Sequence, residues 1–76
     1  MSERKVVHVV PDGDEWAVRS VGADRAASIH STQGSAIDAA RTIAVNAGLG
    51  QVVIHRPNGT IREERTYGQD PFPPAG

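Results

Sequence analysis

The chain contains no cysteine, a single leucine, and one each of tryptophan, tyrosine and phenylalanine among its 76 residues. The missing cysteine excludes disulfides and thiolate metal centres. An excess of positive charge is also missing. Eight Lys and Arg stand against nine Asp and Glu, for a net charge of -1, which removes the strongly basic footprint of a dedicated nucleic-acid binder. No apolar run approaches the roughly 18 residues that a membrane-spanning helix needs, and Met1 to Lys5 are polar. The expected setting is therefore the cytoplasm, with no membrane association. A chain of this length buries only roughly 60% of its unfolded surface, which leaves room for one thin core and no deep catalytic cleft.

Among the residues that are present, Val and Ile together number fourteen and Ala ten. The large apolar residues are thus mostly β-branched and favour strands. Lys5 to Val10 reads as a strand, Pro11-Asp12-Gly13-Asp14 as a turn, and Glu15 to Arg19 as a second strand, giving a hairpin. Val21 to Arg25 is loop-like, and Ala27 to His30 reads as a short third strand. Ser31 or Thr32 then caps a helix from Gln33 to Ala47, on which Ala36, Ile37, Ala40, Ile43, Ala44 and Ala47 share one face. Its largely Ala face suits close approach to a sheet, and Gly48 or Gly50 stops it.

After the helix, Gln51 to Arg56 and Thr60 to Arg65 flank Asn58-Gly59, a second hairpin signal. The last strand is so charged that it belongs at a sheet edge. The predicted fold class is α+β: two hairpins and a short strand in one sheet, with a single amphipathic helix on one face. A right-handed return from the helix sets strand four beside and parallel to strand one, for spatial order 3-2-1-4-5. Residues 1–66 form the expected domain and residues 67–76 a Pro-rich tail. In that tail Tyr67 and Phe72 are expected to pack back onto the body, with Ala75 and Gly76 mobile. The competing reading makes Pro71 to Pro74 a polyproline ligand.

His8-Val9-Val10-Pro11, Trp16-Ala17-Val18, Gly22-Ala23, Ala36-Ile37, Ala39-Ala40, Val53-Ile54-His55 and Tyr67-Gly68-x-Asp70-Pro71 occur in an order and spacing that spans most of the chain. In these segments the chain resembles a family of small bacterial and phage proteins, domain of unknown function 2188. Gly34 departs from that pattern, in which a better helix former is usual. The resemblance implies a fold and no chemistry.

Strand alternation directs Val7, Val9, Trp16, Val18, Ile29, Val52 and Ile54 to the helix. Val6, His8, Val10, Ala17, Arg19, Ser28, His30, Val53 and His55 then line the open face. Three histidines on one face raise the question of a zinc site with an open fourth position. The expected order sets His30 and His8 on strands roughly 10 Å apart, so no metal or other cofactor is predicted. Ser28 and His30 share a strand face with Asp38 as a nominal carboxylate, but positions two apart on a strand lie roughly 6 to 7 Å from each other. A nucleophile and base need about 3 Å, so no enzyme is predicted. Trp16 reads as core in preference to a base-stacking platform.

The leading expectation is a non-catalytic module whose open sheet face, with Val6, His8, Val10, Arg19, His30, Val53 and His55, binds another protein or a second copy of the chain in a symmetric dimer. The alternative is weak nucleic-acid binding through Arg19, Arg56 and Arg62, which Glu63 and Glu64 dilute.

Overall fold

The computed structural model describes residues 5–68; the expectations for Phe72, the Pro71 to Pro74 segment, Ala75 and Gly76 lie outside them. The chain runs β1 (Lys5–Asp12), β2 (Glu15–Ser20), β3 (Ser28–His30), α1 (Gln33–Asn46), β4 (Leu49–His55) and β5 (Ile61–Gly68). One five-stranded mixed sheet has the order β3-β2-β1-β4-β5, with β1 and β4 parallel and the other pairs antiparallel. Class and strand order agree with the sequence reading.

Two strands run further than local chemistry suggests. β1 continues through Pro11, which pairs with Trp16, and the hairpin closes at Asp12 and Glu15 around Gly13, whose φ is 63°. Pro11 is tolerated because ladder bonds alternate sides. Val21 donates to the Val6 carbonyl, so even-numbered residues of β1 bond towards β2 and Pro11 faces the β4 side. There, pairing has already ended at Val9 and Ile54. β5 continues to Gly68 and carries Tyr67 opposite Gly50, so the sheet extends past the residue-66 domain boundary expected from the sequence. Tyr67 packs against the core from within the sheet.

Thr32 caps α1, accepting from the Ser35 amide at 3.1 Å, and Gly48 ends it at φ 88°. Ala36, Ala40 and Ala44 are fully buried against Val7, Val9, Val18, Val52 and Ile54. This stripe of methyl groups lets the helix settle directly on the strands. At Gly50 the approach is closest. A Cβ built there would lie 2.6 Å from both the Cα and Cβ of Ala44, so only glycine fits.

The second hairpin differs from a two-residue Asn-Gly turn. Arg56 to Gly59 form a turn in which the Gly59 amide donates to the Arg56 carbonyl at 2.8 Å, and Asn58 accepts from the amide and hydroxyl of Thr60. Pro57 sits where its fixed φ suits such a turn. Beyond it the register shifts. Ile54 pairs with Glu63 but His55 with Ile61, leaving Arg62 as a bulged residue re-aimed to donate to Gln33 Oε1.

One element corrects the sequence reading of sheet faces. β3 pairs Ala17 with Ile29, Trp16 with His30 and Val18 with Ser28. Directly paired residues share a face, so Ser28 and His30 lie on the helix side and Ile29 on the open side, where it is 44% exposed. The expected placement of Ile29 in the core and of His30 on the open face is reversed.

Candidate functional site

The open face is built on all five strands, with Ile29 as the contribution of β3. One row crosses it at right angles to the strands: Arg19 pairs with His8, His8 with Val53, and Val53 with Glu64. A cation stands at one end and a carboxylate at the other, three strand spacings or about 14 Å apart. Val6 and Val10 are half-buried. Ala17 and Val53 are buried although no helix covers them, Val53 to 6% exposure. Each is a small side chain on an inner strand, shaded by paired neighbours, Val10 and Ile29 for Ala17 and His8 and Glu64 for Val53. Gln51 donates to Glu64 at 2.6 Å.

His8 and His55 meet diagonally across the β1 to β4 seam. His8 Nδ1 lies 3.0 Å from His55 Nε2, and the ring centroids are 5.2 Å apart with planes inclined at 33°. His55 Nδ1 lies 2.9 Å from the Gly59 carbonyl. A carbonyl only accepts, so this nitrogen bears the hydrogen, and in the neutral ring Nε2 is left to accept from His8 Nδ1–H. The turn thus fixes the tautomer of one histidine and, through it, that of the other. Burial pushes the His8 pKa below 6.5, the nearby His55 adds to the fall, and Glu64 opposes it.

His30 belongs to a different network. Its Nε2 lies 2.8 Å from Ser28 Oγ and its Nδ1 2.9 Å from Ser35 Oγ at the start of α1. The serine and histidine do come within hydrogen-bond reach, closer than their strand spacing suggested, because both side chains bend towards one another. The second nitrogen meets a hydroxyl where a triad needs a carboxylate. Among the described residues no group of three or more His, Asp or Glu is arranged to hold a metal. The three histidines expected on one face are divided two to one.

The candidate arginines are dispersed. Arg19 stands on β2, while Arg56 reaches the Ile61 carbonyl at 3.4 Å and Arg62 binds Gln33 at the far end of the β4 to β5 hairpin. Glu63 engages Arg65 at 2.6 Å and Arg62 at 3.7 Å. Behind the sheet, a shallow cavity of about 210 Å³ is lined by Arg41, Thr42, Val45, Asn46 and Tyr67. No described helix is long and apolar enough to cross a membrane.

Residues 7–67, which include every strand pairing described above except the first residues of β1 and the end of β5, match the family described as "Uncharacterized protein conserved in bacteria (DUF2188)". The chain belongs to this family. "Uncharacterized protein YdaT" of Bacillus subtilis (strain 168) is 33% identical over 60 residues, covering 79% of this chain and 39% of the relative, so the chain spans about two-fifths of the protein it matches. No solved structure matches. Within the DUF2188 match lie all the open-face residues except Val6, together with the His8 and His55 pair and the Ser28, His30 and Ser35 network.

Proposed function

We propose that the protein is a non-catalytic interaction module that pairs with a second copy of itself through the open sheet face. The observation that supports this most is the row Arg19, His8, Val53, Glu64, with opposite charges at its ends. When two such faces meet, a twofold axis lying between the sheets and parallel to the strands sets Arg19 of each copy over Glu64 of the other. An axis across the strands would set like over like. Electrostatic complementarity therefore selects one geometry, with its axis along the β1 to β4 seam. Around the row, Val6, Val10 and Ile29 supply apolar contact.

Five strands about 4.8 Å apart and roughly 20 Å long offer roughly 500 Å² of flat area per copy. Standard interfaces bury about 800 Å² per partner, so the expected dimer is weak. We propose the cytoplasm as its setting, in keeping with the polar composition. Sedimentation at about 100 μM in low salt tests the pairing. A dimer is expected, loosened by Arg19→Glu or Glu64→Arg alone and restored in the double exchange. A monomer throughout, or single variants that associate as well as the wild type, would overturn it. Charge exchange is the better perturbation than Val53→Asp, because Val53 is already buried in the single chain and a carboxylate there would threaten folding.

A further inference from the structure

We propose that the paired faces create a tetrahedral metal site of the zinc class, with His8 Nδ1 and His55 Nε2 of each copy as its four ligands. This rests on the face-to-face pairing above. Structural zinc sites take four nitrogen or sulfur ligands in tetrahedral array. One copy supplies two and, among the described residues, no third His, Asp or Glu joins them. The site is incomplete without the partner copy.

Three features of the pair carry the assignment. The first is orientation. Ligating imidazoles commonly donate their other N–H to a backbone carbonyl, which fixes the ring and its tautomer. His55 does this through Nδ1 to Gly59 at 2.9 Å, and so presents Nε2 to the seam. His8 presents Nδ1 once its proton sits on Nε2, a tautomer change within a neutral ring that gains and loses no proton overall.

The second is spacing. The ring centroids are 5.2 Å apart, and a metal 2.0 to 2.1 Å beyond each nitrogen would subtend the two centroids at about 109°, the tetrahedral angle. Two nitrogens bound at that angle stand about 3.3 Å apart, against 3.0 Å in the pair as it is.

The third is position. The axis that sets Arg19 over Glu64 runs along the β1 to β4 seam, and the histidine pair straddles that seam. Whatever lies on the seam meets its own copy across the axis. Sheets packed face to face stand about 10 Å apart, so each imidazole pair reaches about 5 Å to the mid-plane, within the length of a histidine side chain. Four imidazoles then converge on a point on the axis. His30, on the opposite face, takes no part.

The test uses the full chain with zinc ion as the probe. Zinc is expected to raise the dimer fraction in sedimentation, to saturate at one ion per two chains, and to be reversed by EDTA. Cobalt(II) in its place is expected to give the strong visible bands of a tetrahedral ion. His8→Gln and His55→Gln should each weaken zinc binding at least tenfold, and His30→Gln should leave it unchanged. If the dimer forms through Arg19 and Glu64 but ignores zinc, the metal site is wrong and the pairing stands. Zinc bound one to one by a monomer would overturn the shared site. If no dimer forms with or without zinc, both fall. Stoichiometry on the wild type decides the matter even if a histidine variant folds poorly.

Discussion

Replacing Gly50 by alanine adds one methyl group, and its effect follows from how closely α1 lies on β4. The new Cβ would stand 2.6 Å from Ala44 Cα and Cβ and 2.9 Å from the Ala44 carbonyl oxygen. Two of these three atoms are backbone, so no side-chain rotation relieves the contact. To reach ordinary separation the helix would have to retreat by about 0.8 Å from strands that Ala36, Ala40 and Ala44 now touch directly, loosening contacts along the whole stripe. Overpacking of this kind costs about 1 to 3 kcal/mol. Against it stands the reduced freedom of the unfolded chain, about 0.4 to 1 kcal/mol in favour of alanine. The clash prevails. Since 1 kcal/mol moves Tm by roughly 4 to 8 °C in a domain this size, a fall on the order of 5 to 15 °C is expected. Gly34→Ala is the matched control. Its Cβ would meet nothing within 4 Å, and alanine is the better helix former, so a gain of about 0.5 to 1 kcal/mol is expected. Thermal melts followed by circular dichroism compare the two. If Gly50→Ala melts at or above the wild-type temperature, the close helix approach is refuted.

Tyr67 packs against the core from β5, so Tyr67→Ala should cost about 1 to 3 kcal/mol in urea denaturation, and an unchanged midpoint would count against that packing. Glu63 accepts a hydrogen bond from Arg65 at 2.6 Å, which holds its pKa below the usual 4.5. A depressed folded-state pKa contributes stability above the unfolded value and loses it as pH falls through the folded one. Arg65→Gln should therefore move the Glu63 midpoint upwards in a carbon-detected NMR titration, and a midpoint that stays put would exclude the ion pair as its cause.

The sequence by itself carried the elements and their order. Alternating valines, the Ala stripe recurring every fourth residue and glycine at each stop are local signals, because period and turn chemistry depend on near neighbours. The order β3-β2-β1-β4-β5 followed from the handedness of the return through one helix. What needed the tertiary structure was register. β3 has three residues, too few for its own pattern to choose a face. A slip of one residue exchanges the faces, and the isolated Ile29 suggested the wrong one. Pairing with Ala17 decided otherwise and drew His30 to the helix. The same holds for the site. Forty-seven positions separate His8 from His55, and only the parallel register of β1 on β4, with the Gly59 carbonyl orienting the second ring, brings them together. Faces and long-range pairs are properties of how strands align, and a strand carries little information about the neighbour it will align with.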